Sequence, residues 1–84
     1  MEEAYIGIPA LTEAQRASEL LHRRNIRCTV VRMPSLPGVS SCAFGLQLRE
    51  EVLTAALQVL KERNCRVGRV LLRGRDGVLR ERTG

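Results

Sequence analysis

Three cysteines, Cys28, Cys42 and Cys65, and a single histidine, His22, are the residues of this chain best suited to nucleophilic or metal-binding chemistry. A thiol works as a nucleophile only when it can lose its proton and be reached by a partner, which places a reactive cysteine on accessible, irregular backbone. Cys42 meets that condition. It closes the one long stretch without an apolar period, Pro34-Ser35-Leu36-Pro37-Gly38-Val39-Ser40-Ser41-Cys42, where no packing pattern accounts for a thiol. Loops of this kind carry function more often than cores do.

The other candidates are better explained by packing or solvation. Cys28 sits beside Thr29 and Val30 in a β-branched run and reads as half-buried, and Cys65 reads as a small buried hydrophobe. The three cysteines lack the close pairing of zinc ribbons and thioredoxin-like sites, and their number is odd, so free reduced thiols are expected. His22 follows Leu21 by about 100° of helical turn, which sends it to solvent, and no second histidine exists to share a metal or a proton relay. Glu13, Glu19, Glu50, Glu51 and Glu62 fall at helix starts or on exposed helical faces and form no catalytic pair. Gly7 is followed by Ile-Pro-Ala-Leu, without the spacing or lysine of a phosphate-binding loop.

Size and charge narrow the field further. With 84 residues the chain makes one domain with a modest core and little room for an enclosed active site. Its apolar runs are far shorter than the roughly 20 residues of a membrane span, and the start Met1-Glu2-Glu3 is acidic, so neither a signal peptide nor a spanning helix is expected and the compartment reads as cytoplasmic. The formal charge of +5 raises the question of nucleic acid, but 13 of the 14 basic residues are arginines scattered along the chain, as on a solvated surface.

The elements that must position Cys42 follow from periodicity. Ala4, Ile6 and Ile8 alternate as on a strand with one buried side, and Pro9 ends it. Thr12 and Gln15 have the form of a capping box, followed by Ala14, Ala17, Ser18 and Leu21 at helical spacing up to Asn25. Arg27–Met33 reads as a second strand and Gly45–Leu48 as a third. Val52, Leu53, Ala56, Leu57 and Leu60 form the apolar stripe of a second helix from Arg49 or Glu50 to Asn64, and Val67–Leu72 is a fourth strand.

An internal echo supports that order: Arg24-Asn25-Ile26-Arg27 after the first helix matches Arg63-Asn64-Cys65-Arg66 after the second. Asparagine suits the left-handed position that ends a helix, and the next apolar residue can fold back on the last turn. The expected fold is α+β, a ferredoxin-like βαββαβ arrangement with a four-stranded antiparallel sheet and two helices on one face, spanning residues 4–72. Residues 73–84 read as a mobile basic tail. A hairpin through the Asp76-Gly77 turn is the alternative there, weakened by the few apolar residues beyond it.

Pro34, Ser40-Ser41-Cys42, the strand Gly45-Leu46-Gln47-Leu48 and the acidic opening Glu50-Glu51-Val52 of the second helix together resemble the small selenium or sulfur carrier-like proteins, over roughly residues 4–72. Ala43 and Phe44 stand here between the cysteine and Gly45, where that family usually continues directly with glycine. The resemblance implies that the Cys42 thiolate accepts sulfur or selenium as a persulfide or perselenide and passes it on, acting as a carrier rather than a turnover enzyme. Ser40, Ser41 and Gly45 support the loop. The implied partners are a desulfurase- or lyase-type donor enzyme and an acceptor enzyme, and no cofactor is needed.

A non-catalytic interaction or regulatory domain of the same fold is the second reading, and its activity would survive Cys42→Ser. Its open sheet face also leaves room for a homodimer. RNA binding through that face has only Tyr5 to offer as a stacking platform, which argues against nucleic acid as a partner.

Overall fold

A strand buried on both sides organises the protein. β1 (Glu3–Ile8) lies in the middle of a five-stranded, wholly antiparallel sheet of order β2-β3-β1-β4-β5, in which the others are β2 (Thr29–Arg32), β3 (Phe44–Arg49), β4 (Val70–Arg73) and β5 (Leu79–Arg82). The two helices are α1 (Leu11–Arg23) and α2 (Leu53–Glu62), the latter preceded by a 3-10 turn at Glu50–Val52. This computed structural model describes residues 2–33 and 44–82. Among them no helix is long and apolar enough to cross a membrane.

The alternation expected of β1 is present. Ala4, Ile6 and Ile8 join one core with Leu46 and Leu48 of β3, with Ala14, Ala17 and Leu21 of α1, and with Leu53, Ala56, Val59 and Leu60 of α2. Both helices therefore cover the same face of the sheet. Fully burying a leucine or isoleucine is worth about 1.5–3 kcal/mol, so this shared cluster is the main source of stability. The opposite face carries a second, smaller cluster in which Tyr5, Met33 and Leu71 are buried and Val31 and Leu79 pack against them.

The buried face of α1 is Ala14, Ala17, Ser18 and Leu21, as the helical spacing predicts. Its start differs from expectation. The Ala14 amide donates to the Ala10 carbonyl (2.9 Å), so Ala10 is the cap and Thr12 lies inside the first turn, where it cannot form the expected capping box with Gln15. The chain reverses at Pro9-Ala10 immediately after Ile8 pairs with Phe44, and this forces the early start. In α2 the buried stripe includes Val59, with Val52 and Leu57 only partly buried at its edges.

Both helices end in the same way. Asn25 (φ 61°) and Asn64 (φ 55°) are left-handed, and the amides of Ile26 and Cys65 donate to the carbonyls of Leu21 and Leu60, each at 2.9 Å. The Asn25 and Asn64 amides close the inner bonds to His22 and Lys61 at 3.0 and 3.1 Å. These are two Schellman caps at matching positions, and the apolar residue after each asparagine folds back to the core as the echo implies.

The strand count is five where the sequence suggests four. The segment expected as a basic tail from residue 73 forms a hairpin instead, with Leu79–Arg82 paired to Val70–Arg73. Gly77 supplies the left-handed turn residue (φ 77°), the Asp76 carboxylate accepts the Val78 amide (3.0 Å), and Arg80 bonds the other Asp76 oxygen (3.1 Å). That backbone bond holds the Asp76 carboxyl below its ordinary range, with Arg80 adding to the effect. Beyond the turn, Leu79 packs on the second cluster and Arg69 pairs with Glu81, so contacts distant in sequence supply what the few apolar residues lack.

Strand β4 starts later than expected because Gly7 faces two residues just ahead of it, Gly68 and Arg69. Gly7 donates to the Arg69 carbonyl (2.8 Å) while its own carbonyl accepts from Gly68 (2.7 Å), an extra-residue bulge that delays regular pairing to Val70.

Candidate functional site

Cys42, Ser40 and Ser41 lie outside the described residues. What is described is the frame on either side of them. β2 ends at Arg32 and β3 begins at Phe44, and the two residues pair with each other. Phe44 also pairs with Ile8, the last residue of β1, and α1 starts three positions further on. The chain therefore leaves and re-enters the sheet at one end, beside the amino terminus of α1.

Gly45 lies in β3, as the strand pattern suggests, one residue after the strand begins at Phe44. It stands opposite Gly7 on one side and Val31 on the other. A Cβ at this position would approach the Ile6 carbonyl oxygen to 2.6 Å and run into the Met33 thioether, so glycine is required by packing. This places the invasive Met33 side chain, the last described residue before the cysteine segment, across the start of β3.

The remaining thiols are both committed to structure. Cys65 is partly buried against the main core, as its place in the echo suggests. Cys28 is also half-buried there, one residue before β2 rather than within it. Its Sγ lies 3.5 Å from Ser18 Oγ and 4.0 Å from His22 Nε2, and the His22 Nε2 is 3.1 Å from the Cys28 carbonyl oxygen. Burial pushes the Cys28 thiol pKa up, and the Ser18 hydroxyl only partly offsets this. A thiol held in its neutral form is a poor nucleophile.

The Ser18–His22–Cys28 group is not apparent from sequence reasoning. Ser18 reads as a member of the apolar stripe and His22 as a free surface residue. His22 is indeed exposed, but it reaches across to the chain entering β2. The available signal is the i, i+4 spacing of Ser18 and His22, which puts both on neighbouring parts of one helix face. Chemically the group latches the end of α1 to the start of β2.

A shallow groove beside this latch is lined by Glu3, His22, Arg27, Cys28, Thr29, Gln47, Leu48 and Arg49. Its acidic member is already engaged: Glu3 Oε2 accepts from Gln47 Nε2 (2.9 Å) and from the Tyr5 hydroxyl (3.1 Å). Tyr5 itself is 5 % exposed, beneath the Arg73 guanidinium at 5.5 Å from the ring centroid, and so offers no platform for a base. No three His, Cys, Asp or Glu side chains among the described residues come together as a metal site.

No family model matches this chain, and neither curated proteins nor solved structures give a significant match.

Proposed function

We propose that the protein is a selenium or sulfur carrier that holds one chalcogen atom on Cys42 and passes it from a donor enzyme to an acceptor enzyme. The observation that carries this reading is the commitment of the other two thiols: Cys28 and Cys65 both pack on the core, and burial pushes the Cys28 pKa up. That leaves the cysteine of the Pro- and Ser-containing segment as the thiol for exchange. The likeness of Ser40-Ser41-Cys42, Gly45-Leu46-Gln47-Leu48 and Glu50-Glu51-Val52 to the carrier-like proteins supports the same assignment. We read the sheet as a ferredoxin-like fold extended by β5, a reading supported by the strand order β2-β3-β1-β4 and two helices on one face.

The transfer balances without an external oxidant. The Cys42 thiolate attacks the outer sulfur of a donor-enzyme persulfide, a new S–S bond forms at Cys42, and the donor cysteine leaves as a thiolate. Handing the atom on to an acceptor thiolate repeats the step with Cys42 as the leaving group.

Intact-mass spectrometry after incubation with a cysteine desulfurase and cysteine, or a selenocysteine lyase and selenocysteine, tests this directly. A reducible gain of one sulfur or selenium atom, lost in Cys42→Ser and retained in Cys28→Ser and Cys65→Ser, is the expected result. A gain that persists in Cys42→Ser, or no gain in the wild type, refutes it. In the second case a binding module of the same fold becomes the better reading.

A further inference from the structure

The arginines are spread along the chain, but the acids are not. From Leu20 to Arg49 there are five arginines, Arg23, Arg24, Arg27, Arg32 and Arg49, and no aspartate or glutamate. This stretch carries +5 with no acid at all, whereas residues 63–84 reach the same +5 from seven arginines and two acids, and the rest of the chain is acidic by five. In the fold the acid-free stretch forms the end of α1, the outer strand β2 and the adjacent β3.

The two edges of the sheet differ accordingly. At the β5 edge acids are present and pair with two of the arginines, Arg69 on Glu81 and Arg80 on Asp76. At the β2 edge, Arg23, Arg24, Arg27 and Arg32 are exposed and form no ion pair among the described residues, and of the five only Arg49 does, with Glu51. Among the described residues β2 pairs with β3 alone, and Thr29 and Arg32 are exposed, so no described strand occupies its outer backbone row.

We propose that the β2 edge docks an acidic, extended segment of a partner protein, which adds to the sheet beside Thr29–Arg32 and sets its carboxylates against Arg24, Arg27 and Arg32. Strand addition of this kind takes its affinity from main-chain hydrogen bonds and its selectivity from the flanking side chains. Unmatched positive charge selects an acidic strand and repels a second copy of β2, which excludes edge-to-edge pairing of two such chains here. Nucleic acid is the other polyanion, but Tyr5 is buried and Phe44 half-buried on the helix side, so the sheet offers no exposed aromatic for bases among the described residues. Within the carrier reading, on which the partner's identity as donor or acceptor rests, β2 leads directly into the segment that holds Cys42.

The test is an NMR titration of isotope-labelled full-length protein with the synthetic peptide acetyl-Glu-Val-Glu-Val-Glu-Val-amide, with the corresponding Lys-Val peptide and single-stranded oligothymidylate as comparisons. The expected result is amide shifts concentrated at Thr29–Arg32, affinity weakened about tenfold in the doubly reversed variant Arg27→Glu/Arg32→Glu, and no binding of the Lys-Val peptide. The variant's own spectrum reports whether it is folded, and both side chains are exposed. Shifts centred on β5, binding indifferent to the charge reversal, or tighter binding of oligothymidylate would overturn the proposal. Because peptide docking does not require the thiol, Cys42→Ser should bind normally. Docking without chalcogen transfer to the wild type would refute the carrier reading alone, and transfer without docking would refute this proposal alone.

Discussion

Replacing Gly45 with alanine places a methyl group against the backbone of the central strand. The added Cβ would lie 2.6 Å from the Ile6 carbonyl oxygen, well inside van der Waals contact, and would also meet Met33 Sδ and, at 2.8 Å, Met33 Cγ. The thioether can swing aside, because methionine is unbranched and adaptable. The Ile6 carbonyl cannot, because β1 is clamped between β3 and β4. Relieving an overpacked contact of this kind costs about 1–3 kcal/mol. In a domain of this size each 1 kcal/mol lowers Tm by roughly 4–8 °C. Urea unfolding followed by circular dichroism should show the loss in midpoint at unchanged slope. Repeating the substitution on a Met33→Ala background separates the two contacts: the part due to Met33 disappears and the part due to Ile6 remains. A Gly45→Ala protein within about 0.5 kcal/mol of the wild type, the range of ordinary surface changes, would refute the packing argument.

Other substitutions probe the remaining features. Asn25→Ala and Asn64→Ala should each cost on the order of 1 kcal/mol, since alanine resists the left-handed conformation both caps require, whereas Asn→Gly at either site should be tolerated; thermal melts of the four variants check this. Asp76→Ala removes the carboxylate that accepts the Val78 amide and pairs with Arg80, so hydrogen exchange should accelerate in β5 while β1 and β3 stay protected. The pKa values of Cys28 and Tyr5 are both raised, chiefly by burial, so the folded state binds their protons more tightly than the unfolded state. Their contribution is complete below the ordinary values of 9.0 and 10.0 and is lost as pH rises past them. Stability should therefore fall on the alkaline side, and Cys28→Ala should flatten the first part of that fall; a slope unchanged by the substitution would contradict the burial argument.

What could be read from the chain alone was local. The two Arg-Asn-apolar-Arg segments are legible because a Schellman cap needs only six consecutive residues, and both caps are present at Asn25 and Asn64. The α1 stripe and the β1 alternation are legible for the same reason. Of β5 only the Asp76-Gly77 turn is legible, because Leu79 and Glu81 gain their partners from Tyr5, Leu71 and Arg69, and a four-residue strand has no strong signal of its own. Thr12 misleads because the helix start is set by where β1 ends. The latch among Ser18, His22 and Cys28 joins a helix to the chain ahead of a strand, so the i, i+4 spacing of Ser18 and His22 announces only its helical half. Gly45 stands out in the sequence as part of a resemblance, while the reason for it, the approach of Ile6 and Met33, is visible only in three dimensions.

Alkylation of the three thiols with iodoacetamide over a pH series, each followed at its own peptide by mass spectrometry, tests most directly which of them carries the chemistry. Cys42 should react fastest, with a half-point below that of an ordinary thiol, while Cys28 should be slow and titrate higher. Cys28 reacting as fast as Cys42, or Cys42 titrating no lower than an unfolded control, would contradict this assignment.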